Sequence, residues 1–419
     1  MSRLTYLVTV TALVAALSSL PGAPAPKTAD WPEYRGSNRD NISPDKNLLK
    51  KWPEKGPEVV WKSEGVGAGF SSVAVVGDKL FTMGEKDKAC YVFALDRGTG
   101  KQLWATKVGR PGGGPRGPRS TPTVDGELLY ALGQHGDLVC LEVAKGEEKW
   151  RKNLKTEFGG NPGYWKYAES PLVDGDGLVC TPGGKGATIV KLDKRTGKEI
   201  WRSPLGDQAN YSSIVIGNAC GVKQYVQLTN GGTIGVAAKD GAFLWRYDRF
   251  KGNTANAPMP LIFGDQVFTA AGYGKGGAML TLTATNGKFE VKEEYFKSEL
   301  KNKHGGVTVV GDYIYADTDS NGRPYCANWK TGELEKWDRP KTSKGRGSAS
   351  MTYADGNLYI RYENGFVALV PATPTGYTET GSFKMPNHVK QSWAYPVVIG
   401  GKMYLRENDI VWCYDVQGK

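Results

Sequence analysis

ALDRGTGKQLW (94–104) is the stretch on which the fold depends. A small residue and a leucine lead to Asp96, a tight turn follows at Gly100, and the phrase ends on Trp104. More or less eroded copies recur along the chain. Turn glycines stand at Gly100, Gly146, Gly197, Gly241, Gly287 and Gly332, and each leads to an apolar or aromatic residue: Trp104, Trp150, Trp201, Trp245, Val291 and Trp337. Those terminal residues lie 46, 51, 44, 46 and 46 positions apart. A repeat of about 45 residues suits one four-stranded propeller blade.

Each unit reads as strands and turns. VVGDKLF, TVDGELLY, LVDGDGLV, IFGDQVF, VVGDYIY, YADGNLYI and VIGGKMY are seven forms of one hairpin, with Gly-Asp, Asp-Gly or Gly-Gly at the turn. In the third turn Asp96 or Asp193 is placed to bond backbone amides while the glycine takes positive φ. A seventh unit runs from about 345 to Phe383, its third turn lengthened by two prolines, and an eighth ends at the C-terminus with three strands. EVVWKSEG (58–65) carries Trp61 and stands where a fourth strand is needed. The reading is therefore all-β: an eight-bladed propeller over 58–419, closed by an N-terminal strand that completes the last blade, which removes unpaired sheet edges. The tryptophans Trp61, Trp104, Trp150, Trp201, Trp245 and Trp337 are expected to pack between blades.

Composition agrees with a β-rich globular chain. Glycine is abundant (56 residues), aromatics reach 11% and hydrophobic residues 39%. A net charge of +11 favours acidic partners but says nothing of the fold. Arg3, the apolar run Leu4–Leu17 and the small residues after it predict a secretory signal with a cleavage region inside 1–29. The apolar run is short for a membrane span. A periplasmic or secreted, monomeric protein is expected, with 30–57 a polar lead-in lying against the ring. Export and the lack of a recognition motif argue against nucleic acid as a partner.

The phrase 94–104 resembles the A-x-D-x-x-T-G-K-x-x-W docking motif of PQQ-type (quinoprotein alcohol dehydrogenase-like) propellers, and LDKRTGKEIW (192–201) is similar to it. That superfamily holds PQQ-dependent dehydrogenases and non-enzymatic members, among them the propeller subunit of the outer-membrane β-barrel assembly machinery. WPEYRGSNRDNIS (31–43) resembles the lead-in of many secreted PQQ-like repeat proteins. In the catalytic branch the resemblance implies adjacent cysteines over the quinone, a calcium set and a catalytic Asp. No two cysteines here are adjacent, and C-x-x-C-H, calcium-loop, G-x-S-x-G and H-E-x-x-H motifs are absent. No cofactor is expected. The alternative is a minimal quinoprotein oxidoreductase using PQQ with Ca²⁺.

Other chemistry-bearing residues have structural explanations. His135, His304 and His388 form a zinc site only if the ring gathers them. Glu147/Glu148 and Glu293/Glu294 read as solvated pairs. Cys140, Cys326 and Cys413 share the position of Ala94 on blades that are not neighbours, so they read as small core residues. A bridge between two of Cys90, Cys180 and Cys220 stays open. The loop 111–119 lacks the Gly-Lys-Ser/Thr ending of a phosphate loop and reads as a flexible basic loop.

The stretches leading into each innermost strand should ring one mouth of the central channel. Aligned on the following hairpin, Phe70, Tyr167, Asn210, His304 and Trp393 share a level, Arg119 and Tyr211 lie one residue further in, and Glu169 one beyond. Arg116, Lys166, Lys303, Arg346 and Lys390 add positive charge. Aromatics beside cations suit stacking and charged hydrogen bonds. The site residues expected are thus Phe70, Arg119, Tyr167, Glu169, Asn210, Tyr211, His304, Arg346 and Trp393. The expected partner is an envelope protein or an anionic or saccharide polymer.

Overall fold

A computed structural model describes residues 29–304, 306–319, 321–389 and 391–418. The expected signal segment, apart from Ala29, and Lys390 lie outside the described residues. Eight antiparallel blades follow one another in chain order. The first is Ala74–Val76, Lys79–Lys86, Ala89–Asp96 and Gln102–Gly109, paired in that order. The last is Val397–Ile399, Lys402–Glu407 and Ile410–Asp415, and its outer place is taken by Glu58–Glu64, with Trp61 opposite Cys413. The ring is closed by joining both ends of the propeller domain in one sheet. The sixth blade departs from four full strands: among the described residues a single bridge, Ala327 to Leu334, stands for its outer strand after Pro324–Asn328.

The small residue that opens the repeated phrase has a packing reason. Phe81, Ala94 and Trp104 lie side by side on three neighbouring strands, as do Tyr130, Cys140 and Trp150, and Tyr404, Cys413 and Trp61. Strands two apart are separated by about 9.6 Å, twice the ladder spacing, yet the flanking rings meet at 5.8, 6.1 and 6.0 Å between centroids. They lean together over the alanine or cysteine, and a larger side chain there would hold them apart. All six cysteines are free thiols, and all but Cys220 are buried.

The third turn works as read from the sequence. Asp96 accepts from the Thr99 amide at 2.7 Å while Gly100 sits at φ 72°. Burial of the tryptophans, however, links one repeat to the next. A Cβ on Gly100 would stand 2.5 Å from the ring of Trp61, one on Gly146 2.5 Å from Trp104, and one on Gly197 2.9 Å from Trp150. The indole nitrogens of Trp61, Trp104 and Trp150 donate to carbonyls of that same turn, Arg97, Val143 and Lys194, at 3.0, 3.2 and 3.0 Å. Trp201 likewise lies on Gly241, but its indole nitrogen is buried without a hydrogen-bond partner among the described residues.

The joint changes on two blades. Trp245 turns back to Gln224 of its own blade at 2.6 Å, and Gly287 has open space where a ring would lie. In the fifth blade the long hairpin Gly276–Thr285 and Lys288–Lys297 shifts the register, so Tyr295 and not Val291 stands opposite Met279. Tyr295 then does the work of the tryptophan, lying on Gly332 and donating to the Trp329 carbonyl at 2.6 Å. Trp337 donates to Thr373 of the seventh blade at 2.9 Å.

The lead-in does more than lie against the ring. Trp31 is paired to the innermost strand of the first blade through two bonds with Val75 (2.7 and 2.8 Å), and the Val124 amide donates to the Pro32 carbonyl at 2.8 Å. Arg39 donates to the carbonyls of Ser170 (3.2 Å), Ile214 (2.9 Å) and Pro171 while pairing with Glu33 at 2.5 Å. Arg35 reaches the Val307 carbonyl, Asn41 reaches that of Met351, and Ile42–Ser43 runs parallel to Ala349–Ala354. One short segment thus touches the inner strands of six blades and packs Tyr34 against Tyr395 of the eighth, 5.2 Å between rings. Only a chain crossing the axis can do this. Polar residues suit the place because the inner strands present unpaired backbone carbonyls that need donors. The chain then leaves between the seventh and eighth blades, where Leu48 and Trp52 are buried with Phe383 and Val398.

Candidate functional site

The lead-in acts as a plug that closes the channel from the side of the first hairpin turns, where Asp30 accepts from the Gly77 amide and Asp45 from that of Gly401. At the opposite mouth it leaves a cavity of about 330 Å³. Its floor is Tyr34 and Tyr395, and the Tyr395 hydroxyl donates to the His304 carbonyl at 3.0 Å. Two aromatic pairs face the space: Phe70 with Trp393 at 4.5 Å, and Trp165 with Tyr211 at 5.6 Å. His304 stands 5.3 Å from Trp393.

Among the described residues, the charged side chains that line this cavity are the cations Arg119 and Lys303. Arg119 donates to the carbonyls of Trp165 and Pro115 at 3.2 and 3.0 Å and lies over Phe70 at 5.8 Å. It meets no carboxylate among the described residues, and burial pulls its pKa down to about 10. Lys303 adds a second cation, 5.4 Å from the Tyr273 ring. The cavity wall carries no Asp or Glu among the described residues. Glu363 lies behind it, accepting from the Trp393 indole at 2.9 Å. Burial holds His304 neutral, with its pKa near 4, and its Nε2 is buried without a hydrogen-bond partner among the described residues.

Of the nine expected site residues, Phe70, Arg119, Tyr211, His304 and Trp393 line this cavity. Four do not. Tyr167 is buried between the second and third blades and donates to Pro182 at 2.8 Å. Glu169 accepts from the amide and hydroxyl of Thr181 at 2.7 and 2.9 Å, and burial raises its pKa to about 7. Asn210 accepts from the Asn256 amide at 3.1 Å, and Arg346 donates to the carbonyls of Ser343 and Gly345, both at 2.7 Å. The inner-strand leads differ in path, so residues at one level point either to the axis or into a joint between blades.

Tyr34, Trp165 and Tyr273 carry no signal in the sequence that marks them as site residues. Trp165 stands near an expected residue, whereas Tyr273 comes from a second turn and Tyr34 from the plug. The other expected groups are dispersed. His135 meets the Pro111 carbonyl at 3.0 Å and His388 meets Glu407 at 3.3 Å. In the loop 111–119, Arg116 and the Gly112 amide hold the carboxylate of Glu85 at 2.8 and 3.0 Å, so the chain's own acid fills the place an anion would take.

Repeated blades, a shared joint and an axial cavity define a PQQ-like repeat propeller. The chain belongs to the family described as outer membrane protein assembly factor BamB, whose profile matches residues 88–338. It is 29% identical over 152 residues to the outer membrane protein assembly factor BamB of Kangiella koreensis, covering 33% of this chain and 35% of that protein. It is 21% identical over 252 residues to the protein of that name from Burkholderia pseudomallei, covering 58% and 60%. The matched stretches thus span less than two thirds of those relatives. Among solved structures, the quinohemoprotein alcohol dehydrogenase from Comamonas testosteroni superposes with a TM-score of 0.64 at 13% identity, over 94% of this chain and 82% of that one. At that identity the likeness concerns the fold alone.

The catalytic branch of that fold implies a calcium-bound quinone. The residues present do not fit the ion. Calcium takes about six to eight oxygen ligands, chiefly carboxylates and carbonyls, and the cavity wall offers no carboxylate among the described residues. No group of three His, Cys, Asp or Glu among the described residues is placed to hold a metal.

Proposed function

We propose that this chain is an exported, non-catalytic propeller that docks a partner protein at the open mouth of its channel. The observation that carries the reading is the mouth itself: two aromatic pairs and two cations around a blind cavity, with no carboxylate in the wall among the described residues. The family relationship supports a binding role, since the relatives are named for an assembly process and not for a reaction. A saccharide polymer, the other expected partner, is less suited. Sugar hydroxyls call for several carboxylates and amides, and the wall offers Gln391 alone among such groups in the described residues. Among the described residues no helix is long and apolar enough to cross a membrane.

The test is photocrosslinking in envelope extracts with p-benzoylphenylalanine placed at Tyr164 on the mouth or at Asp176 on the opposite face. A discrete adduct from the mouth position alone is expected. Adducts only from Asp176, or from neither position, would end the reading. Turnover of an alcohol or sugar in a dye-linked assay with PQQ and Ca²⁺ would end the non-catalytic part of it.

A further inference from the structure

The chemistry of the mouth specifies an occupant, an inference that rests on the docking role proposed for that face. Two exposed apolar groups stand beside wall residues in the chain: Tyr164, 84% exposed, adjoins Trp165, and Val389, 68% exposed, stands two positions before Gln391. Tyr164 packs edge-on against Trp165 at 5.5 Å, so apolar surface continues from Tyr164 into the wall. Tyr164 belongs to the lead into the third blade and Val389 to the lead into the eighth, so exposed apolar groups flank two of the leads that supply the cavity wall. A small molecule filling about 330 Å³ would leave both uncovered. An extended chain laid across the mouth would cover them.

Charge narrows the occupant. Arg119 is half-buried, held in place by two carbonyls and a ring, and faces the cavity without an acid among the described residues. A desolvated guanidinium gains most from a carboxylate, which it can bind through two parallel hydrogen bonds. Phe70, Trp393, Trp165 and Tyr211 present ring faces and edges on which another aromatic side chain can stack. We propose that the mouth captures an extended acidic segment of a partner protein, one of whose carboxylates reaches Arg119 while an adjacent aromatic side chain enters the cavity. Few large anchors in a concave site commonly dominate such recognition.

The experiment uses the full mature chain, immobilised, and a phage library of random dodecapeptides. Enriched peptides should pair Asp or Glu with a neighbouring Phe, Tyr or Trp. Synthesised and titrated against the protein, they should quench tryptophan fluorescence and lose at least about tenfold in affinity with Arg119→Gln, with partial recovery in Arg119→Lys. Tyr164→Ala, which removes an exposed ring, should weaken binding without changing the melting temperature. Enrichment of peptides lacking an acid, or equal binding by Arg119→Gln of unchanged circular dichroism, would overturn the proposal. So would saturable binding of 1-naphthoate as tight as any peptide and indifferent to Tyr164→Ala, which would make the cavity a small-molecule site. If peptides fail in these ways while the Tyr164 crosslink persists, docking stands and only the acidic-segment chemistry falls.

Discussion

The indole of Trp104 lies on Gly146 of the next blade and donates to Val143 of that same turn at 3.2 Å. Glycine and tryptophan of the repeated phrase are therefore halves of a joint shared between neighbours. One blade supplies the ring, and the following blade supplies a turn with neither a side chain nor an obstructed carbonyl.

The joint makes two glycines behave differently although both have positive φ, 72° at Gly146 and 78° at Gly287. Gly287→Ala meets open space and should cost about 1 kcal/mol, the backbone penalty alone. Gly146→Ala also drives a methyl into Trp104 and should cost clearly more, by about another 1–3 kcal/mol of overpacking. Chemical denaturation of the two variants checks the difference; equal losses would refute the joint.

Removing the ring itself should be worse. Trp150→Ala leaves a cavity between the second and third blades and strands the Lys194 carbonyl, so about 3–5 kcal/mol of stability should be lost. Differential scanning calorimetry measures it.

The plug predicts a long-range effect from a short segment. Arg39→Ala leaves the carbonyls of Ser170, Pro171 and Ile214 without their donor and Glu33 largely buried without its partner. A loss of about 3–5 kcal/mol is expected for breaking such a buried pair. Hydrogen exchange should quicken in the inner strands of the third and fourth blades before the outer ones.

Glu169 gives a pH dependence with a definite sign. Its pKa is raised by burial to about 7 in the folded chain, against an ordinary value of 4.5. Between those values the unfolded chain releases the proton that the folded chain keeps, so this contribution is fully present below about 4.5 and is lost as pH rises through about 7. Glu169→Gln, which can still accept from Thr181, should flatten the fall in melting temperature over that window. An unchanged slope would count against the assignment.

Thiol chemistry distinguishes core cysteines from surface ones. Burial pushes Cys90, Cys140, Cys326 and Cys413 up to about 12, so none of them forms a thiolate at a pH of about 8. A disulfide reagent should titrate at most one thiol in the native chain, Cys220, and all six after denaturation.

Much of the fold was legible because its signals are local. The blade period, the Asp–Thr–Gly turn and the small residue before it each answer to strand sterics a few residues away, and the missing fourth strand of the last blade pointed to 58–65. Val291 misled because an unusually long hairpin moved the aromatic on to Tyr295, which spacing alone does not register. The mouth was legible in part. Phe70, Arg119, Tyr211, His304 and Trp393 were placed by counting from the inner hairpin. The same count could not separate them from Tyr167, Glu169, Asn210 and Arg346, whose side chains turn into joints or loops.

By itself, then, the order of residues determined a closed ring of eight sheets, because each blade's turns and strands are specified within its own forty-odd positions. Tertiary structure alone decided that residues 31–43 cross the axis and make the channel blind. It also decided that Tyr34, Trp165 and Tyr273, from three separate parts of the chain, share a cavity with an arginine that meets no acid among the described residues. Those facts depend on where the inner strands leave carbonyls unpaired and on which way each lead turns at the axis. Both arise only when all eight blades are in place.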